Sequence, residues 1–255
     1  MDPSVDFPGS ATSPSLAETQ GFTAACLAEC VQSLHESDEY SDLTIVCGDD
    51  TYKVHKAIVC TQSPVLRAAC KAGTLKEGAE NTIALFPLST LVSDDDLDRD
   101  DPAAVRRMIH FLSHGDYDVA PWREYTCGDD NAGHARVFAV AVKYGLEGLR
   151  ALAAAHYADV IRGYPGDCSH QDVAAAVRIV HATTPPEVEE LRTATCSLLL
   201  RDSAELLWWG CVRAAINSVD GLGFELMLLA VEQRNRVSGV LMRHRQETDC
   251  EVDYD

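Results

Sequence analysis

Ser41-Asp42-Leu43-Thr44-Ile45-Val46, then Tyr52-Lys53-Val54-His55-Lys56-Ala57-Ile58-Val59, then Ser63-Pro64-Val65-Leu66: these three runs decide how the chain is read. Leu43 to Cys47 is apolar and β-branched, Gly48-Asp49-Asp50 is turn material, and Tyr52 to Val54 resumes an alternating pattern. The economical reading is a strand-turn-strand hairpin. Lys56 to Cys60 then opens a short helix. Ser63-Pro64 supplies an N-cap followed by proline at the first helical position, which launches a second helix over Val65 to Cys70, stopped by Gly73.

Upstream, Phe22, Ala25, Cys26, Ala28, Cys30, Val31 and Leu34 recur at helical spacing, so Phe22 to Leu34 is expected to be a helix. Residues 1–20, rich in Ser, Pro, Thr and Gly, read as a disordered tail, because such a composition buries too little surface to offset its ordering entropy. Downstream, Thr82 to Phe86 reads as a strand ended by Pro87. Asp94, Asp95, Asp96, Asp98, Asp100 and Asp101 then crowd around Arg99, and the stretch at about 89–101 is expected to be a solvated acidic insertion. Asp101-Pro102 repeats the cap-plus-proline start, with Val105, Met108, Ile109 and Leu112 as the apolar face and Gly115 as the stop. Ala135 to Tyr144 and Leu146 to Ile161 form a helix pair broken at Gly145.

From there helices are expected over Asp172 to His181, Pro186 to Leu200, Ser203 to Ile216 and Phe224 to about Arg245. Asp202 and Glu205 resemble a capping box. Strands early and helices late give an α+β class rather than a βαβ alternation. The expected organisation is a tail over 1–20, an α+β domain over 21–161, an all-helical C-terminal region over 162–247, and an acidic tail over 248–255.

Composition narrows function. A hydrophobic share of 46% and a charged share of 24% are those of a globular chain. The net charge of -19, from 40 acidic against 21 basic side chains, would repel a polyphosphate backbone, which argues against direct nucleic-acid binding. Residues 1–20 lack the basic and apolar regions of a secretory signal, and no run approaches the roughly 20 apolar residues that span a bilayer. The expectation is an intracellular protein, cytoplasmic or nuclear, with no membrane partner. The ten cysteines are then expected to be mostly reduced thiols, with Cys47, Cys60, Cys70, Cys196 and Cys211 among apolar neighbours.

The opening runs, in order and at close spacing, resemble the start of the BTB/POZ domain, whose pattern is S-D-apolar-x-apolar, then F/Y-x-apolar-H-K/R, then S-x-apolar-apolar. The similarity continues through Thr82 to Phe86, through Met108 to Leu112 and Gly115-Asp116-Tyr117, and through Phe138 to Leu152, where Lys143-Tyr144 matches the family's K-Y helix pair. It spans about Asp38 to Ile161. The resemblance implies the BTB/POZ fold, a small β-sheet flanked by helices, and a protein-interaction adaptor rather than an enzyme. It also implies that Asp42 and His55 are partly buried polar groups satisfied by backbone or by each other. Family members recruit partners, several through a cullin ubiquitin-ligase scaffold that engages an apolar-x-Glu loop; Leu75-Lys76-Glu77 stands at that place, making Leu75 and Glu77 the candidate partner-binding residues. A solvated loop with Leu75 tucked onto the core is the competing reading. The alternative function is a structural homo-oligomerisation module, such as a homodimer, without a ubiquitin-ligase link.

Other constellations carry less. Asp42 and His55 as a catalytic pair would need an activated nucleophile, and no G-x-S-x-G elbow is present. Cys26/Cys30 and His110/His114 are each one helical turn apart, but neither has a second pair at finger-like spacing; the first reads as a buried apolar face, the second as one core-edge and one exposed histidine. The aspartate cluster lacks the calcium-loop spacing, and Gly221-Leu222-Gly223 is helix punctuation, not a phosphate cradle. Trp208-Trp209 on a helix would point about 100° apart, one into the core and one to an interface. No catalytic residue, metal or cofactor is assigned.

Overall fold

Leu43, Ile45 and Cys47 alternate with Thr44 and Val46, and in the computed structural model the first set is buried and the second half-buried. The structure describes residues 16–71, 81–86, 99–117, 131–163, 169–185 and 187–251. Strand β1 (Leu43–Cys47) pairs antiparallel with β2 (Asp50–Val54), in register from Leu43↔Val54 to Cys47↔Asp50. The two-residue loop Gly48-Asp49 turns with a φ of +61° at Gly48, which a side chain would resist. Strand β3 (Thr82–Leu85) lies on the other edge of β1 and runs parallel to it, giving the order β2-β1-β3. A parallel partner requires a crossover. It begins with α2 (Lys56–Gln62) and α3 (Pro64–Ala69), which bury Val59 and Leu66.

The caps anticipated from sequence form as hydrogen bonds. Ser63 accepts from the Leu66 N–H at 3.0 Å. Asp101 accepts from the Ala104 N–H at 2.8 Å and starts α4 (Pro102–His114), which Gly115 ends in the left-handed region. Helices α5 (Asn131–Tyr144) and α6 (Glu147–Gly163) pack on each other behind α4. The break between them needs glycine twice over: Gly145 has a φ of +65°, and a Cβ there would stand 2.8 Å from Pro64 Cγ.

The C-terminal region comprises α7 (His170–Thr183), α8 (Glu190–Arg201), α9 (Ser203–Leu206), α10 (Gly210–Ser218) and α11 (Leu222–Glu251). It is packed on the first domain, and one hydrophobic core runs from Ile45 through Phe138 and Leu149 to Val177, Leu198 and Val212. Buried polar groups stitch the same boundary. The Tyr157 hydroxyl lies 2.7 Å from Thr195 Oγ1, Arg201 donates to the Ile161 carbonyl at 2.8 Å, and the Asp172 carboxylate accepts the Asn131 and Ala132 N–H groups that open α5.

Several expectations are corrected. Helix α1 (Leu16–Ser37) starts inside the segment read as a tail, because Leu16 to Gln20 holds no proline or glycine to stop it. For the same reason α11 continues to Glu251, past the expected boundary of the acidic tail. The run Ser203 to Ile216 is split into α9 and α10, with Leu207-Trp208-Trp209 between them. Neither Trp is therefore a core residue: Trp208 is 82% exposed, and Trp209 lies on the surface stacked on His170 at 3.8 Å. The capping box is absent, since the Asp202 carboxylate accepts from Arg201 Nε at 2.7 Å instead of capping α9. Cys26 and Cys30 do not form a buried face: Cys26 is half-buried and Cys30 exposed. Cys47 and Cys196 are buried, whereas Cys60, Cys70 and Cys211 are half-buried.

Candidate interaction surface

His55 follows β2 directly and is buried, with Nε2 at 2.6 Å from the Glu39 carbonyl. A carbonyl only accepts, so this nitrogen carries the proton. The bond ties the chain leaving α1 to the hairpin. Asp42 is exposed, not part of a polar core. Its carboxylate accepts the Lys56 N–H at 2.7 Å and its own N–H donates to the Val54 carbonyl at 3.2 Å, so it closes the hairpin mouth and satisfies an orphan donor at the start of α2. Asp42 and His55 thus have separate partners, and both engage backbone.

The buried acid of the domain is one that sequence reasoning assigned to solvent. Asp100, at the end of the acidic stretch, is 1% exposed. It accepts from Lys143 Nζ at 2.9 Å and from the Tyr144 hydroxyl at 3.1 Å, and its N–H donates to the Phe86 carbonyl at 2.6 Å. Burial, then the adjacent Asp100 charge, pushes the Tyr144 phenol far above its ordinary range. Lys143-Tyr144 therefore clamps the chain that leaves β3 before α4 begins. Asp101 beside it caps α4 and meets Arg136 at 3.2 Å. The available signal was the Lys143-Tyr144 pair, whose ammonium and hydroxyl groups can both donate to one carboxylate. The rest of the acidic stretch, residues 87–98, lies outside the described residues, as do Leu75 and Glu77.

Large apolar side chains reach solvent in one sequence neighbourhood above all. On α11, Phe224, Met227, Leu228 and Val231 are exposed at i, i+3, i+4 and i+7, the spacing of a single helical face. Leu226 and Leu229, on the opposite face, pack against the core. Leu207 and Trp208, between α9 and α10, are exposed as well. Apolar stripes of this kind mark contact surfaces more often than isolated residues do. Among the described residues no group of three His, Cys, Asp or Glu is placed to hold a metal ion. There too, no single helix is long and apolar enough to cross a membrane; α10 and the start of α11 meet both conditions only together, bent by 103°.

A mixed three-stranded sheet braced by short helices, with its acids engaged in caps and clamps, defines an α+β domain. Residues 31–154 match the family model of the BTB/POZ domain, and this stretch of the chain is a BTB/POZ domain. No curated protein matches the chain. The match begins within α1 and ends within α6, so α7 to α11 lie beyond it. BTB/POZ domains are protein-interaction modules, typically without enzymatic activity, and this chain carries such a module at the head of a continuous helical core.

Proposed function

We propose that this protein is an intracellular adaptor, cytoplasmic or nuclear, that recruits protein partners through its BTB/POZ domain and serves as a substrate receptor for a cullin ubiquitin ligase. The observation that carries the reading is the family match over residues 31–154. Leu75-Lys76-Glu77 precedes β3, where family members present an apolar-x-Glu loop to the scaffold. In this reading Leu75 fills an apolar groove and Glu77 makes the accompanying polar contact. The C-terminal helices act as the recruiting unit, held rigidly because they share the domain's core.

A pulldown with the purified N-terminal region of a cullin tests the reading. Wild type is expected to be retained and Leu75→Ala/Glu77→Ala to lose most of its retention. No retention of wild type removes the cullin link and leaves the homo-oligomerisation module.

A further inference from the structure

Helix α1 is lightly held. None of its described side chains is buried, and α4 is the element it chiefly packs on. The ring contact between the two helices is His35 against His114, edge to face with centroids 5.7 Å apart. His114 in turn stacks on His110 at 3.9 Å with planes 8° apart, so three imidazoles stand in a row across the seam.

The hydrogen bonds fix where protons can add. His110 Nδ1 is 2.7 Å from the Asp116 carbonyl and His114 Nδ1 is 3.2 Å from the His110 carbonyl. Carbonyls only accept, so both Nδ1 atoms carry hydrogen in the neutral rings, and a further proton must enter at Nε2. Two stacked rings at 3.9 Å cannot both take that proton without repulsion, and the His35 ring adds a third charge to the same seam. Among the described residues, Asp38 just past α1 and Glu36 on it favour a charged His35; beyond α4, Asp116 favours a charged His110. For both rings burial dominates, joined by neighbouring histidines, and their pKa values lie below the ordinary 6.5. Asp116 is also shared, lying 4.0 Å from His156 Nε2 on α6.

We propose that the seating of α1 on α4 is proton-gated: neutral rings at His35 and His110, with the His114 ring in contact with both, permit it, and protonation at this seam releases the helix and uncovers the α4 face beneath. The docked helix binds fewer protons than the released one. Docking is therefore at full strength above the released value of 6.5, weakens as the pH falls through it, and is unaffected by raising the pH further. The device is independent of which partner the domain recruits.

Hydrogen exchange of the full chain, read by mass spectrometry between pH 7.5 and 5.0 with times scaled to the intrinsic exchange rate, tests it. Protection of residues 25–37 is expected to fall severalfold between the two ends of the range, while α5 and α6 stay protected. His35→Phe and His114→Phe, which keep an aromatic ring but cannot take a charge, are each expected to shrink that fall. The proposal is overturned if wild-type protection of α1 is flat over the range, if α5 and α6 lose protection together with α1, or if both variants keep the full fall.

Discussion

Asp100 and Lys143 form an unequal pair: the carboxylate is 1% exposed, whereas the lysine side chain is 35% exposed and reaches solvent. Removing either partner therefore has a different cost. Lys143→Met strands a buried carboxylate and is expected to destabilise by about 3 to 5 kcal/mol, while Asp100→Asn keeps a polar partner for Tyr144 and is expected to cost only about 1 to 2 kcal/mol. Equal urea midpoints for the two variants would contradict the clamp. His134 gives a second residue-scale prediction. It is 3% exposed, its Nδ1 lies 2.7 Å from the Tyr117 hydroxyl, and burial, then Arg107 and His156, lowers its pKa to about 3. The unfolded chain binds this proton below 6.5 and the folded chain only near 3, so stability is lost as the pH falls between those values and is unchanged above them. His181, lowered to about 4 by burial and by Arg192, acts in the same direction. His134→Gln is accordingly expected to show a smaller loss of urea midpoint between pH 7 and pH 4 than wild type, though not none.

At the scale of elements, the joint between α3 and the α5–α6 break concentrates the packing. Ser63 Oγ accepts from the Leu66 N–H and donates to the Tyr144 carbonyl at 2.6 Å, while Pro64 rests against Gly145. Gly145→Ala is expected to cost roughly 1 to 3 kcal/mol through its positive φ and its contact with Pro64. Pro64→Ala relieves only the contact, so the double variant should fall short of additivity, a coupling that a thermal or urea cycle reads directly. These elements were legible in sequence because each rests on short-range chemistry: alternation in β1, Ser63-Pro64 and Asp101-Pro102 at helix starts, Gly115 and Gly145 at helix ends. What was not legible is set by distant partners. Asp100 sits in a stretch whose charge density points to solvent, and only the approach of Lys143 and Tyr144 from α5 buries it. Asp42 was expected to be a partly buried polar group; it is exposed, because its partner is the backbone N–H of Lys56 at the rim. The Trp208-Trp209 pair was read on a continuous helix, and the break before Gly210 turns both rings outward.

For the whole molecule, one core from the hairpin to α10 makes the BTB/POZ domain and the helical region a single packed body. The boundary near residue 161 falls between two helices that share one core. The net charge of -19 would repel a polyphosphate backbone, and the α11 stripe is a run of exposed apolar side chains among the described residues. Sedimentation velocity of the full chain, alone and mixed with the N-terminal region of a cullin, tests the adaptor claim most directly. A faster-sedimenting complex in the mixture, absent for Leu75→Ala/Glu77→Ala, is predicted; a chain that sediments as a monomer alone and unchanged in the mixture would contradict the account.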